Sequence, residues 1–120
     1  IDYHYVQGTE MHGIIVGGNI RCFLKLSGTA YMPDLNGKIL LLESRSGTVA
    51  RMETYLSQLQ QIGAFEQIAG ILLGTFTEME AKPDIVQLVK KYVRKTMPIA
   101  VTKQIGHGTD AKGIVIGGEL

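Results

Sequence analysis

Two ionisable side chains in the 120-residue sequence stand where chemistry could be done. Glu43 closes the apolar run KILLLE, and His107 sits between two glycines in QIGHGTD. A carboxylate that accepts a hydrogen bond from one imidazole nitrogen fixes the tautomer and supports the other nitrogen as a general base. The flanking glycines strip away neighbouring side chains and leave the imidazole approachable. Taken singly, each residue has an ordinary reading: a charged residue ending a strand commonly marks where the chain meets water, and a loop histidine is commonly structural or idle. The pair supplies no nucleophile, and no residue of this chain is nominated as one.

The other reactive side chains read as structural. Cys22 stands beside Phe23 in a short amphipathic stretch with no nearby base, which favours a buried or half-buried thiol over a nucleophile. Gly17-Gly18-Asn19 could turn backbone N–H groups toward a ligand, yet GIIVGGN lacks the G-x-G-x-x-G and Walker patterns, which argues against phosphate binding. His4, His12 and Cys22 make no recognisable metal spacing. Lys90, Lys91, Arg94 and Lys95 read as the solvated end of a helix.

These residues need a scaffold, and the pattern predicts an α/β one. IDYHYV and MHGIIVGG flank Gly8 and read as two short strands that could pair as a hairpin. Asn19 can cap a short helix that places Ile20, Phe23 and Leu24 on one face, with Gly28 as its stop. KILLLE has the continuous apolar character of a strand buried on both faces. From Thr48 onward, Val49, Met52, Leu56 and Leu59 recur at helical spacing until Gly63. IAGILLG (68–74) reads as a second buried strand and FTEMEAK as a polar connection. A helix begins with Pro83 in its first turn, carries the stripe Ile85, Leu88, Val89, Tyr92 and Val93, and gathers basic residues at its C-terminal end. Met97 to Val101 is a third strand, followed by the Gly-His-Gly loop and a last short strand, GIVIG. Strand and helix alternate, which implies parallel pairings in the middle of the sheet and side chains presented at its carboxyl edge.

Composition excludes several function classes. Twelve Lys and Arg against eleven Asp and Glu leave a net charge of +1, with no electrostatic footprint for nucleic acid or an anionic membrane. No apolar run approaches the roughly 20 residues needed to cross a bilayer, and no signal-peptide pattern is visible at the N-terminus. The single cysteine cannot form an internal disulfide, which suits the cytoplasm. By length, residues 1–120 make one domain; the start on Ile1 and the stop at IVIGGEL read as the ends of a piece of a larger protein.

Several segments together resemble the C-terminal domain of the LD-carboxypeptidases, serine peptidases that include muramoyltetrapeptide carboxypeptidases and microcin C immunity peptidases. The segments are GIIVGGNI, LSGTAYMPDLNGKILLLE, YLSQLQQIGAFEQIAGILLGTF and IGHGTDAKGIVIG, which follow in the family's order across nearly the whole chain. The specificity lies in the conjunction of GGN, GT-Y-P, GKILLLE, GI-LG-F and GH. Where many members carry further acidic residues after the Glu, this chain reads SRSG.

The resemblance implies a swivelling β/β/α-type domain with a partly parallel central sheet and flanking helices. It implies that Glu43 and His107 are the Glu and His of a Ser-His-Glu triad, whose serine and oxyanion donors belong to an N-terminal domain absent from this chain. It further implies a cytoplasmic enzyme, usually a homodimer, without metal or cofactor, which releases the terminal D-amino acid from murein tetrapeptides during cell-wall recycling. On this view the isolated chain is inactive. Two readings from other classes stay open: a family-derived domain that only binds or dimerises, and an unrelated amidase with Cys22 as nucleophile.

Overall fold

The computed structural model describes residues 2–45, 47–77, 84–105 and 117–120. The Gly-His-Gly loop with His107, most of FTEMEAK, Pro83 and nearly all of the expected strand GIVIG lie outside the described residues.

The two apolar runs become the middle of a five-stranded sheet. They form β3 (Ile39–Ser44), buried at every position, and β4 (Gly70–Phe76), buried at all but Thr75. Strand β2 (Ile15–Asn19) lies beyond β3, and β5 (Ile99–Val101) lies beyond β4. The three pairings from β2 through β3 and β4 to β5 are parallel. Strand β1 (His4–Gln7) adds to the far side of β5 in the antiparallel sense. The fold is therefore a mixed α/β sheet with flanking helices.

Strands β2 to β5 cross the sheet in chain order, so right-handed crossovers place every connecting helix on one face. The helices are α1 (Ile20–Leu24), α2 (Val49–Gln61), α3 (Ala64–Gln67) and α4 (Ile85–Lys90). Three of them, α1, α2 and α4, start on a side-chain cap. The side chain of Asn19 accepts from the Cys22 amide, that of Thr48 from the Arg51 amide, and that of Asp84 from the Gln87 amide, each satisfying an orphan donor of a first turn. Met52, Leu56 and Leu59 of α2 are fully buried against Leu40, Leu42, Ile71 and Leu73, which point to the helical side. Removing each such side chain from water stabilises the fold by about 1.5–3 kcal/mol.

The alternate residues of the same strands face away from the helices. Ile39, Leu41, Leu72 and Ala100 form a second cluster with Met11, Ile15 and Ile105. Glycines on this face allow close approach, of Met11 onto β4 and of β2 to β3. A Cβ at Gly70 would stand 2.7 Å from the Met11 sulfur, and one at Gly17 would run into the Leu41 carbonyl.

Three expectations need correction, and one element goes beyond them. IDYHYV and MHGIIVGG do not form a hairpin: β1 and β2 stand at opposite edges of the sheet, because β1 finds β5 as its partner. Helix α1 ends at Leu24 and continues to Gly28 as turns, stabilised by Leu26 N–H to Phe23 O and Ser27 N–H to Leu24 O. Helix α4 begins one residue past the Asp84 cap and ends at Lys90, so Tyr92 and Val93 complete the apolar stripe from a following turn, still packed on the core. The short α3 after Gly63 was not expected.

Candidate active site

Parallel pairing brings the carboxyl ends of β2, β3, β4 and β5 to one edge of the sheet. Asn19 and Glu43 are register partners there, at the ends of β2 and β3. Glu43 is only 9% exposed, so it is not a strand end that has met water. Burying a carboxylate costs several kcal/mol unless the surroundings stabilise it, so a buried Glu at a sheet edge marks a candidate for function. By alternation it shares the face of Ile39 and Leu41, away from the helices.

Opposite Glu43 the ladder is irregular. Leu42 pairs with Leu73 and Ser44 pairs with Phe76, so two residues of β4, Gly74 and Thr75, oppose the single Glu43. This is the pattern of a β-bulge, a device that re-aims neighbouring side chains. The segment after β5 closes over the bulge: the Thr75 amide donates to the Ile105 carbonyl at 2.9 Å, and Ile105 is buried in the second cluster. A Cβ built on Gly74 would stand 2.7 Å from the Ile105 oxygen and 3.0 Å from the Glu43 Cβ. Gly74 is thus the spacer between the two.

The approach to Ile105 is held from its other side. The Thr102 hydroxyl donates to the Asp2 carbonyl at 2.7 Å and accepts from the Gln104 amide at 3.1 Å. The Asp2 amide donates to the Gln104 side chain at 2.8 Å. A depression lined by Asp2, His4, Thr75, Asp84, Thr102 and Gln104 lies here, between β1, β4, β5 and the start of α4.

Among the expected site residues, Glu43 stands where the apolar run placed it, at the end of β3; His107 lies outside the described residues, two positions beyond Ile105. Cys22 is exposed rather than buried, because it sits two residues after Ile20, on the side of α1 opposite the buried Ile20, Phe23 and Leu24. His4 is exposed on β1, and His12 pairs at 3.6 Å with Glu10 on the surface. Among the described residues no group of three His, Cys, Asp or Glu could hold a metal ion, and no helix is long and apolar enough to cross a membrane. The roles of Gly74, Thr75 and Ile105 went unread in the sequence; the only signal was a glycine closing the run GILLG.

A singly wound α/β domain that presents a buried carboxylate at its carboxyl edge is a class of scaffold on which one part of a catalytic site can be carried. The family itself follows from comparison: residues 12–120 match the LD-carboxypeptidase C-terminal domain, and the chain belongs to that family. It is 33% identical to a Treponema pallidum (strain Nichols) protein over 98% of this chain and 36% of the other. It is 32% identical to the Microcin C7 self-immunity protein MccF of Escherichia coli over 54% of this chain and 19% of that protein. The crystal structure of an MccF-like protein from Bacillus anthracis superposes with a TM-score of 0.82 at 31% identity, over 98% of this chain and 38% of that one. Muramoyltetrapeptide carboxypeptidase from Oxalobacter formigenes shares the fold, with a TM-score of 0.82 at 24% identity over 98% of this chain and 44% of that one. The chain thus spans about a third or less of the curated relatives first matched.

Proposed function

We propose that this chain is the C-terminal half of a cytoplasmic serine carboxypeptidase that cleaves the L,D-peptide bond of murein tetrapeptides in cell-wall recycling. Glu43 orients His107, and His107 takes the proton of a serine carried with the oxyanion donors on an N-terminal domain; the whole works as a homodimer. The observation that carries the reading is the closure of Ile105 over the β4 bulge beside the buried Glu43. Ile105 stands two positions before His107 in the sequence, which is what ties this closure to the proposed pair.

The chemistry then follows from the roles. The imidazole accepts the serine proton as the hydroxyl attacks the scissile carbonyl, and returns it to the leaving amine of the D-amino acid; water repeats the cycle on the acyl-enzyme. Glu43 holds the tautomer and stabilises the imidazolium.

The likeness to the MccF-like protein at 31% identity supports a second reading, an immunity-type peptidase that acts on a microcin C derivative. MccF itself has been seen with glutamyl sulfamoyl guanosine and aspartyl sulfamoyl adenosine. The two readings separate on substrate: the full-length protein is offered a murein tetrapeptide and an aminoacyl sulfamoyl adenosine, and release of the amino acid from each is measured. Faster turnover of the tetrapeptide supports the first reading, and turnover of the nucleotide alone replaces it with the second.

A further inference from the structure

We propose that Gly74 is a positioning residue of the active site, whose missing side chain lets Glu43 and the Ile105 carbonyl close on the same point of β4. The inference rests on the reading of Glu43 as the carboxylate that orients the catalytic base.

Three observations meet at this glycine. It is buried, and its φ is not in the left-handed region, so no backbone conformation demands glycine there. Space demands it instead. A Cβ would stand 2.7 Å from a backbone oxygen, that of Ile105, and 3.0 Å from the Glu43 Cβ, with the Ile105 carbonyl carbon at 3.3 Å. Neither obstacle is the free end of a flexible side chain. The Ile105 carbonyl is tied to the Thr75 amide and its side chain is buried, while the Glu43 backbone is held by its pairing with Asn19 on β2 and by the Leu42–Leu73 and Ser44–Phe76 pairs that flank it on the β4 side.

The bulge explains why the collision falls on Glu43. With Gly74 and Thr75 both opposite one residue, β4 crowds β3 at this single position, and the segment that follows β5 is drawn into the same space. Any side chain at 74 must therefore displace Glu43, the Ile105 segment, or both. A catalytic carboxylate moved by a fraction of an ångström loses its alignment with the imidazole while substrate contacts made elsewhere persist.

The test is a double-mutant cycle in the full-length protein that carries this chain, with D-amino acid release from a murein tetrapeptide as the readout. Gly74→Ala should lower kcat roughly tenfold to a hundredfold with KM little changed. In a Glu43→Gln background, where there is no longer a charged partner to misplace, the same substitution should cost less than about threefold. In the folded Gly74→Ala protein the Thr75 amide should exchange with solvent faster than in wild type, while Leu72 keeps its protection. Should Gly74→Ala be too unstable to assay, Ile105→Val loosens the packing that holds the same carbonyl and is read in the same cycle, with a loss of about twofold to fivefold that again depends on Glu43.

Equal factors in the two backgrounds, or full activity of Gly74→Ala, overturn the assignment of Gly74 and leave Glu43 standing. Wild-type activity of Glu43→Gln overturns the functional reading beneath it and this inference with it.

Discussion

The Thr75 amide donates to the Ile105 carbonyl at 2.9 Å, across the end of β4. That bond joins a residue of the bulge opposite Glu43 to a segment that ends two residues short of His107 in the sequence, and so ties β4, the neighbour of the strand that carries Glu43, to the stretch 30 residues on. The predictions below test the scaffold that makes the junction, then the junction itself.

The helical side of the sheet holds the larger of the two hydrophobic clusters. Leu56 is fully buried between α2 and the sheet, so Leu56→Ala should destabilise the domain by about 2–5 kcal/mol through lost burial and the cavity left behind. Urea unfolding followed by circular dichroism measures it; a cost below about 1 kcal/mol would mean that α2 does not pack as described.

Glycines on this chain should not be interchangeable. At Gly17, φ is +116 and a new Cβ would strike the Leu41 carbonyl, whereas Gly28, at φ +81, has open space around it. Gly28→Ala should cost about 1–2 kcal/mol, from backbone strain alone, and Gly17→Ala distinctly more. Equal costs in thermal unfolding would contradict the close approach of β2 to β3.

The ion pair between Lys91 and Glu53, at 3.0 Å, links the end of α4 to α2, but both side chains are more than a third exposed. Solvent screening limits its worth to about 0–1 kcal/mol. Lys91→Ala should lower the unfolding midpoint slightly, and by less in high salt.

Thr102 is buried and uses its hydroxyl twice, toward the Asp2 carbonyl and the Gln104 amide. Thr102→Val keeps the shape but leaves those two groups without this partner, at a cost of about 1–3 kcal/mol, whereas Thr102→Ser restores most of the loss. Hydrogen exchange at Gln104 should quicken in the valine variant only.

The parts of the fold that were legible in the sequence are those with local causes. KILLLE and IAGILLG declare buried strands because water is excluded from both their faces, and α2 declares itself through Met52, Leu56 and Leu59 at helical spacing and Thr48 at its cap. The strand order was not legible. Nothing in IDYHYV names β5 as its partner, since His4 pairs with Val101 across nearly the whole chain. Nor was the early end of α4, because Tyr92 and Val93 reach the same core from a turn as they would from a helix. At the site, the position of Glu43 at a strand end was readable, but its burial was not: that depends on Gly74, Ile105 and a bulge, which are products of tertiary register.

The isolated chain provides a further check. Without a serine or oxyanion donors from another domain there is no acyl-enzyme route, so the 120-residue chain should fold and yet release no D-amino acid from a murein tetrapeptide. Turnover by the purified chain would show that its own residues suffice.

The central claim is that His107, oriented by Glu43, is the general base of a serine carboxypeptidase. The measurement that meets it most directly is kcat for release of the terminal D-amino acid by full-length wild type and by His107→Ala, with circular dichroism to establish that both are folded. The account predicts a loss on the order of a thousandfold or more for His107→Ala, with its fold unchanged. Robust turnover by a well-folded His107→Ala protein would contradict it.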